Sequence, residues 1–216
     1  MRALALAAAA LLSGAVTGTA VPPDREAFAA GTRRLAAHEF RGAAAALEQA
    51  VTADSLDAEA FLALGKAREA LGEYDKAISA YQRARSLGLA AGARDEDLAR
   101  LYHRSGVELL ERRQYGQAAT RLEAATRLQP DSAPAWYALG LCHHGLQQDE
   151  AAAAHFGRAA AADAAFAAPR RALGDLYRQR RQFGLAAGQY ELAIAIDSTS
   201  MPAHAGLSQS LLEQGD

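Results

Sequence analysis

The chain has 216 residues, of which 50% are hydrophobic and 22% charged, with a formal net charge of -2. That balance excludes a disordered or collagen-like polymer and leaves room for one domain with a large buried core. It also lacks the basic excess that nucleic acid demands, so no nucleic-acid partner is expected.

Residues 1–20 differ from everything after them. Arg2 is the only charge before Asp24, residues 3–12 form an apolar run, and Gly18, Thr19 and Ala20 close it with small side chains. This is the layout of a secretory signal peptide, which predicts an exported, periplasmic or secreted chain beginning near Val21. An inner-membrane anchor through residues 3–23 is the alternative, because that uncharged stretch approaches the roughly 20 residues a span needs. Its many alanines make it weakly hydrophobic, which favours cleavage. Residues 21–23 read as a linker whose prolines stop a helix from running on. The single cysteine, Cys142, allows no intramolecular disulfide, and its place in mid-helix predicts a buried thiol.

From residue 24 the chain repeats itself. A small residue recurs as Gly31, Gly65, Gly106, Gly140 and Gly174, at steps of 34, 41, 34 and 34, so a seven-residue insertion explains the irregular step. Alanines recur in register at Ala43, Ala77, Ala118, Ala152 and Ala186, and again at Ala50, Ala84, Ala125, Ala159 and Ala193. Ser208 falls where a sixth glycine belongs. The units are 24–57, 58–91, 99–132, 133–166 and 167–200, with an insertion at 92–98 and a final stretch at 201–216. Within each unit the apolar positions follow three- and four-residue spacing, which predicts two amphipathic helices.

In chain order, the first unit is the least regular, with Ala27 and Ala30 where larger side chains stand elsewhere, as suits a terminal repeat with one face in water. The second has Phe61, Leu64, Gly65, Tyr74, Tyr81 and Ala84 in register. In the insertion, Gly88 and Gly92 offer stops for the preceding helix. Asp95 reads as an N-cap, with Glu96 and Asp97 in the first turn where carboxylates suit the helix dipole. The third unit puts Ser105 where leucine is usual. The fourth is the most complete, with Trp136, Leu139, Gly140, His143, Ala152, Phe156 and Ala159. The last stretch has Leu207, Leu211 and Leu212 at helical spacing and reads as a capping helix or a partial sixth unit.

The skeleton W-x2-L-G-x2-H followed by A-x3-F resembles the tetratricopeptide repeat, with His143 where that family usually has tyrosine. The resemblance covers the chain from residue 24 onward and implies an all-α fold, a right-handed superhelical solenoid of helix-turn-helix repeats. It also implies a concave groove, lined by the first helix of each unit, that holds a partner's peptide segment or helix. The stripe about 100° away from the core-facing residues would line that groove. It comprises Glu59, Leu62, Lys66 and Glu69; Arg100, His103, Val107 and Leu110, with Arg104 alongside; Pro134, Tyr137, Leu141 and His144; and Ala168, Arg171, Asp175 and Arg178. The partner-binding candidates are Lys66, Arg100, His103, Arg104, Tyr137, Leu141, His144, Arg171, Asp175 and Arg178. The arginines of the C-terminal half favour acidic groups or a free carboxylate. The Lys and Asn clamp of chaperone-cofactor relatives is not reproduced, since Phe28, Thr32 and Ala63 stand at the matching places.

No catalytic constellation is visible. Neighbouring helix residues point about 100° apart, so Cys142, His143 and His144 do not share a metal, and spacing gives no reason for His155 to join them. There is no phosphate loop and no nucleophile elbow, and Glu48, Glu123 and Glu191 sit at solvated helix positions. Neither a metal nor another cofactor is expected. The expected protein is thus a non-catalytic adaptor of the bacterial cell envelope, with self-association through the repeat ends, by way of Leu207, Leu211 and Leu212, as the alternative.

Overall fold

A hairpin of two amphipathic helices buries only one face of each, so the other faces must meet the next hairpin, and the chain stacks. The computed structural model describes residues 23–89 and 94–215. Among them lie eleven α-helices: α1 (Pro23–Ala36), α2 (Phe40–Ala53), α3 (Ala58–Ala70), α4 (Tyr74–Ser86), α5 (Asp95–Glu111), α6 (Tyr115–Leu128), α7 (Ala133–Gly145), α8 (Asp149–Ala162), α9 (Ala167–Gln179), α10 (Phe183–Ile196) and α11 (Met201–Gln214). Each odd-numbered helix from α1 to α9 packs on the even-numbered helix after it, and each even-numbered helix on the next odd one. No strand occurs among the described residues, and the architecture is an all-α solenoid. The signal segment at 1–20 lies outside the described residues. None of the described helices is long and apolar enough to cross a membrane.

The turns inside the hairpins share one geometry. Gly72 has φ 76°, and at the equivalent places His38, Arg113, Gln147 and Arg181 adopt φ between 58° and 60°. Each ends its helix with the paired bonds of a left-handed cap: Arg181 N–H donates to the Arg178 carbonyl and Gln182 N–H to that of Tyr177, both at 2.9 Å. Gly215 at the end of α11 repeats the conformation with φ 92°. Between hairpins a different device operates. The carboxylates of Asp54, Asp163 and Asp197 accept the backbone N–H two residues on, at 2.9, 2.8 and 3.0 Å, which turns the chain into the next helix.

The helix start expected within the insertion is present, with its cap one residue earlier than expected. Residues 95–98 are the opening turn of α5, which is 17 residues long. Its N-cap is Arg94, in extended conformation, and Asp95 is the first helical residue without a capping bond from its side chain. Asp95, Glu96 and Asp97 then share the first turn, where all three carboxylates meet the positive end of the dipole. The added turn brings Leu98 and Leu101, both fully buried, against Ile78 and Tyr81. Ser105 is buried too, and its hydroxyl donates to Asp75 Oδ1 at 2.8 Å, so the missing leucine leaves no orphan polar group.

Spacing within a hairpin is set where a glycine of the first helix meets a large side chain of the second. A Cβ on Gly140 would lie 2.5 Å from the Phe156 ring, and one on Gly174 2.7 Å from that of Tyr190. Tyr190 is pinned from the other side by Gly206 of α11, whose Cβ would come within 2.4 Å. The close approach in α11 therefore belongs to Gly206 and not to Ser208, which is exposed.

The fourth hairpin brings together residues that spacing did not place together. Trp136 stacks on His155 at 5.6 Å, His155 leans on His143 at 4.8 Å, and the Arg158 guanidinium lies 4.7 Å from the Trp136 centroid. His155 Nδ1 is buried with no hydrogen-bond partner among the described residues. Burial, then the adjacent His143, then Arg158, push the His155 pKa down from 6.5 to about 4. The folded state thus holds neutral a group that the unfolded chain protonates.

Three outcomes follow from this packing. Replacing the fully buried Ala152 with leucine should force α7 and α8 apart and lower stability by about 1–3 kcal/mol in chemical denaturation. Arg181→Gly relieves a left-handed side-chain clash and should raise stability by about 1 kcal/mol, whereas Gly72→Ala should lower it by a similar amount. Stability from neutral His155 is complete above about pH 6.5 and is lost as the pH falls toward 4, so melting temperature should drop across that window. His155→Phe should flatten the drop, and an unchanged profile in that variant would assign the acid sensitivity elsewhere.

Candidate functional site

The helical stripe expected to line the groove splits into three environments. In the first, apolar side chains turn into the core. Tyr137 is half-buried with its ring 5.6 Å from Phe156 and 5.3 Å from Phe166, and Leu141 packs against the same cluster that joins α8 to α9. Neither is displayed as a free anchor.

In the second, charges are paired within the chain. Arg100 bridges Glu69 at 3.3 Å and Asp97 at 3.2 Å, and Tyr81 donates its hydroxyl to Glu69 at 3.1 Å. His144 Nδ1 lies 3.1 Å from Asp149, and Arg171 pairs with Asp175 at 3.3 Å. The buried Tyr190 donates to Asp175 Oδ1 at 2.7 Å and accepts from Arg178 Nε at 3.4 Å, while Arg178 also donates to Gln209 at 3.1 Å. Burial foremost, then the bond to Asp175, raises the Tyr190 pKa to about 12, so it stays a donor at any ordinary pH. The basic C-terminal half inferred from the stripe is therefore partly neutralised in place. Lys66 stands exposed on α3, apart from these pairs.

The third environment is open. A cleft of about 470 Å³ is lined by Leu71, Gly72 and Tyr74 from the α3–α4 turn and by His103, Arg104, Val107, Glu108 and Glu111 from α5. A second, of about 350 Å³, lies between α5, α6 and α7 and takes in Arg100, His103 and Pro134. His103 borders both, and burial lowers its pKa, partly offset by the Pro134 carbonyl. Arg104 is exposed, lies 5.9 Å from the Tyr74 ring centroid, and makes no ion pair among the described residues. His103 thus stands between the two clefts, with Arg104 lining the first and Arg100 the second, and Arg171, Asp175 and Arg178 form a separate knot on α9.

Arg104 distinguishes this junction from the others. At its place in the other hairpins stand Ala63, Ala138 and Ala172, which pack on Leu47, Leu122 and Phe156 of the preceding hairpin. A guanidinium cannot be buried unpaired at such a contact, and Arg104 lies exposed over the Tyr74 ring. The residues missed from sequence, Leu71, Tyr74, Glu108 and Glu111, were signalled by that one break in an alanine column.

Cys142 is fully buried, and burial raises its thiol pKa to about 12, which keeps it from acting as a thiolate ligand or nucleophile. His143 Nδ1 lies 2.7 Å from Gln148 Oε1, on a different side from the His144–Asp149 pair. Among the described residues no group of three or more His, Cys, Asp or Glu is arranged to hold a metal.

The family model for the tetratricopeptide repeat matches residues 28–100 and 103–168. No curated protein matches the chain. Among solved structures, YrrB, titled a TPR protein with an unusual peptide-binding site, superposes with a TM-score of 0.60 at 21% identity, over 83% of this chain and 89% of that one. MamA (41-end) from Desulfovibrio magneticus RS-1 gives 0.56 at 22% identity, over 84% and 98%. The first TPR domain of Spaghetti (RPAP3), bound to the HSP90 peptide SRMEEVD, gives 0.54 at 12% identity, over 56% and 96%. These likenesses establish the fold, one that generally serves as a protein-interaction scaffold. With two matched stretches that together span more than half of its length, the chain belongs to the tetratricopeptide repeat family.

Proposed function

We propose that this chain is a non-catalytic adaptor of the bacterial cell envelope that holds a peptide segment or helix of a partner protein in the concave surface around α5. The observation that carries the reading is the cleft in which Arg104, without an ion pair among the described residues, stands beside the apolar side chains of Leu71, Tyr74 and Val107. Apolar walls from Leu71, Tyr74 and Val107 accept a side chain, and the Arg104 fork accepts a carboxylate in bidentate fashion. Two structural neighbours bear titles that name a peptide-binding site or a bound peptide, which supports a peptide ligand. The layout of residues 1–20 supports export.

A crosslinked pull-down from envelope extract tests both parts. The wild-type chain, recovered with its N-terminus near Val21, should capture a partner whose yield falls about tenfold in an Arg104→Glu, Val107→Asp variant of unchanged helicity. An Arg171→Glu, Arg178→Glu variant should have the smaller effect. Equal capture by the wild type and the α5 variant would remove this surface from the binding site, and recovery of the chain only from the cytosol would overturn the envelope assignment.

A further inference from the structure

On the reading of the α5 cleft as the receptor, we propose that its occupant is a partner helix with an acidic and a basic residue seven places apart and leucine-like residues between them. Arg104, Val107, Glu108 and Glu111 all line the cleft and all belong to α5. At 100° per residue Arg104 and Glu111 fall within about 20° of one another, with Val107 and Glu108 to either side. At 1.5 Å of rise per residue they stand about 10 Å apart along the axis. Both are exposed, and neither makes an ion pair among the described residues. Glu108, four residues from Arg104, turns instead to Arg112. Leu71, Tyr74 and Val107 supply apolar surface beside the two free charges.

The places of Arg104, Glu108 and Glu111 carry no charge in α3, α7 or α9. Those of Glu108 hold Ala67, Cys142 and Leu176, all buried, and those of Glu111 hold Ala70, Gly145 and Gln179. At the next junction Gly145 receives the Tyr115 ring, since a Cβ there would lie 2.6 Å from it. Tyr74 is the counterpart of Tyr115, and at this junction a carboxylate, Glu111, stands where the glycine would receive that ring. Three ionised groups on one face of one helix are thus peculiar to α5, and they front the one junction lined as a cleft of both signs.

Charge selects the occupant, because the neighbouring charges are committed elsewhere. Arg100 holds Glu69 and Asp97, Lys76 holds Glu73 at 3.0 Å, and Arg68 holds Glu48. Lys66 and Arg113 are exposed but lie outside the lining. His103 is the remaining titratable group of the lining, and burial favours its neutral form. One cation and one carboxylate are left to be met. A helix with Glu at one place and Lys seven places on sets an opposite charge against each, while leucines three and four places on enter the apolar part. Glu toward its N-terminus and Lys toward its C-terminus also suit its own dipole, and in that order it runs parallel to α5. An anionic membrane offers one sign only and would leave Glu111 opposed.

The test uses the full chain and three fluorescent synthetic helices read by anisotropy, alike in their leucines and carrying Glu and Lys, Glu and Glu, or Lys and Lys at the two charged places. The mixed helix should bind at least about tenfold tighter than either of the others. Arg104→Glu should move the preference to the helix with two lysines, and Glu111→Lys to the helix with two glutamates. Both side chains are already in water, so each variant should keep its fold, as circular dichroism would show. Equal binding of the three helices, or a preference that ignores Glu111→Lys, would overturn the proposal. Preference for two glutamates, lost only in Arg104→Glu, would also overturn it while leaving the α5 surface as the receptor. Binding of none of the three removes this occupant as well, and the pull-down then decides the surface separately. A wild-type dimer dissolved by Glu111→Lys would put a second copy in place of the partner helix, and binding to anionic vesicles lost in Arg104→Glu would put a membrane there; either result overturns it.

Discussion

Glycine meeting a large side chain is the contact that spaces the whole stack. Phe156 lies against Gly140 within its own hairpin and against Ala172 in the next, and Tyr190 is held likewise between Gly174 and Gly206. Each large residue is therefore shared by two hairpins, and the helix separation it sets, about 8–10 Å, is passed along the chain. Because every hairpin touches only its neighbours, stability is a sum of such local terms, and a change at one junction alters the geometry beyond it without unfolding the rest.

That is what happens between α4 and α5. The extra turn of α5 inserts Leu98 and Leu101 against Ile78 and Tyr81, and this apolar contact replaces the small-residue contact used at other junctions. With Leu98 and Leu101 anchoring the start of α5, its later part no longer needs an alanine facing the previous hairpin, and Arg104 occupies that place. The cleft lined by Arg104 lies beside this junction. Buried Ser105 joins the same junction through Asp75, which also receives Arg121 at 3.1 Å, so a small polar network holds α5 to α4 and α6 where the apolar contact thins.

Much of the fold was legible because it rests on spacing. The columns of glycine and alanine carry the helix pairing directly, and the three- and four-residue pattern carries the buried faces. What was not legible depends on how side chains settle after the helices have docked. Arg171 and Asp175 are four residues apart, so their pairing was available from helix geometry, yet the bonds that draw in Tyr190 and Gln209 come from two other helices and have no sequence pattern. His155 meets His143 and Trp136 only because α8 crosses α7 at that height. The left-handed turns at His38, Arg113, Gln147 and Arg181 were hidden for the opposite reason: the fold imposes the conformation so firmly that glycine is kept at only one of the five equivalent places.

On the proposed reading, the distribution of charge favours the α5 cleft over the arginine-rich α9 as the receptor. An arginine that already holds a carboxylate must give it up to take a ligand, and the exchange returns little free energy. Arg171 and Arg100 are in that position. Arg178 leans on the Tyr190 hydroxyl and Gln209, so its donors are partly spent as well. Arg104 is restrained by the face of Tyr74, a contact that limits its rotamers without satisfying its N–H groups. In the proposed site a carboxylate would meet a guanidinium that makes no ion pair among the described residues, so that charge-assisted bonds are there to be gained without first breaking others.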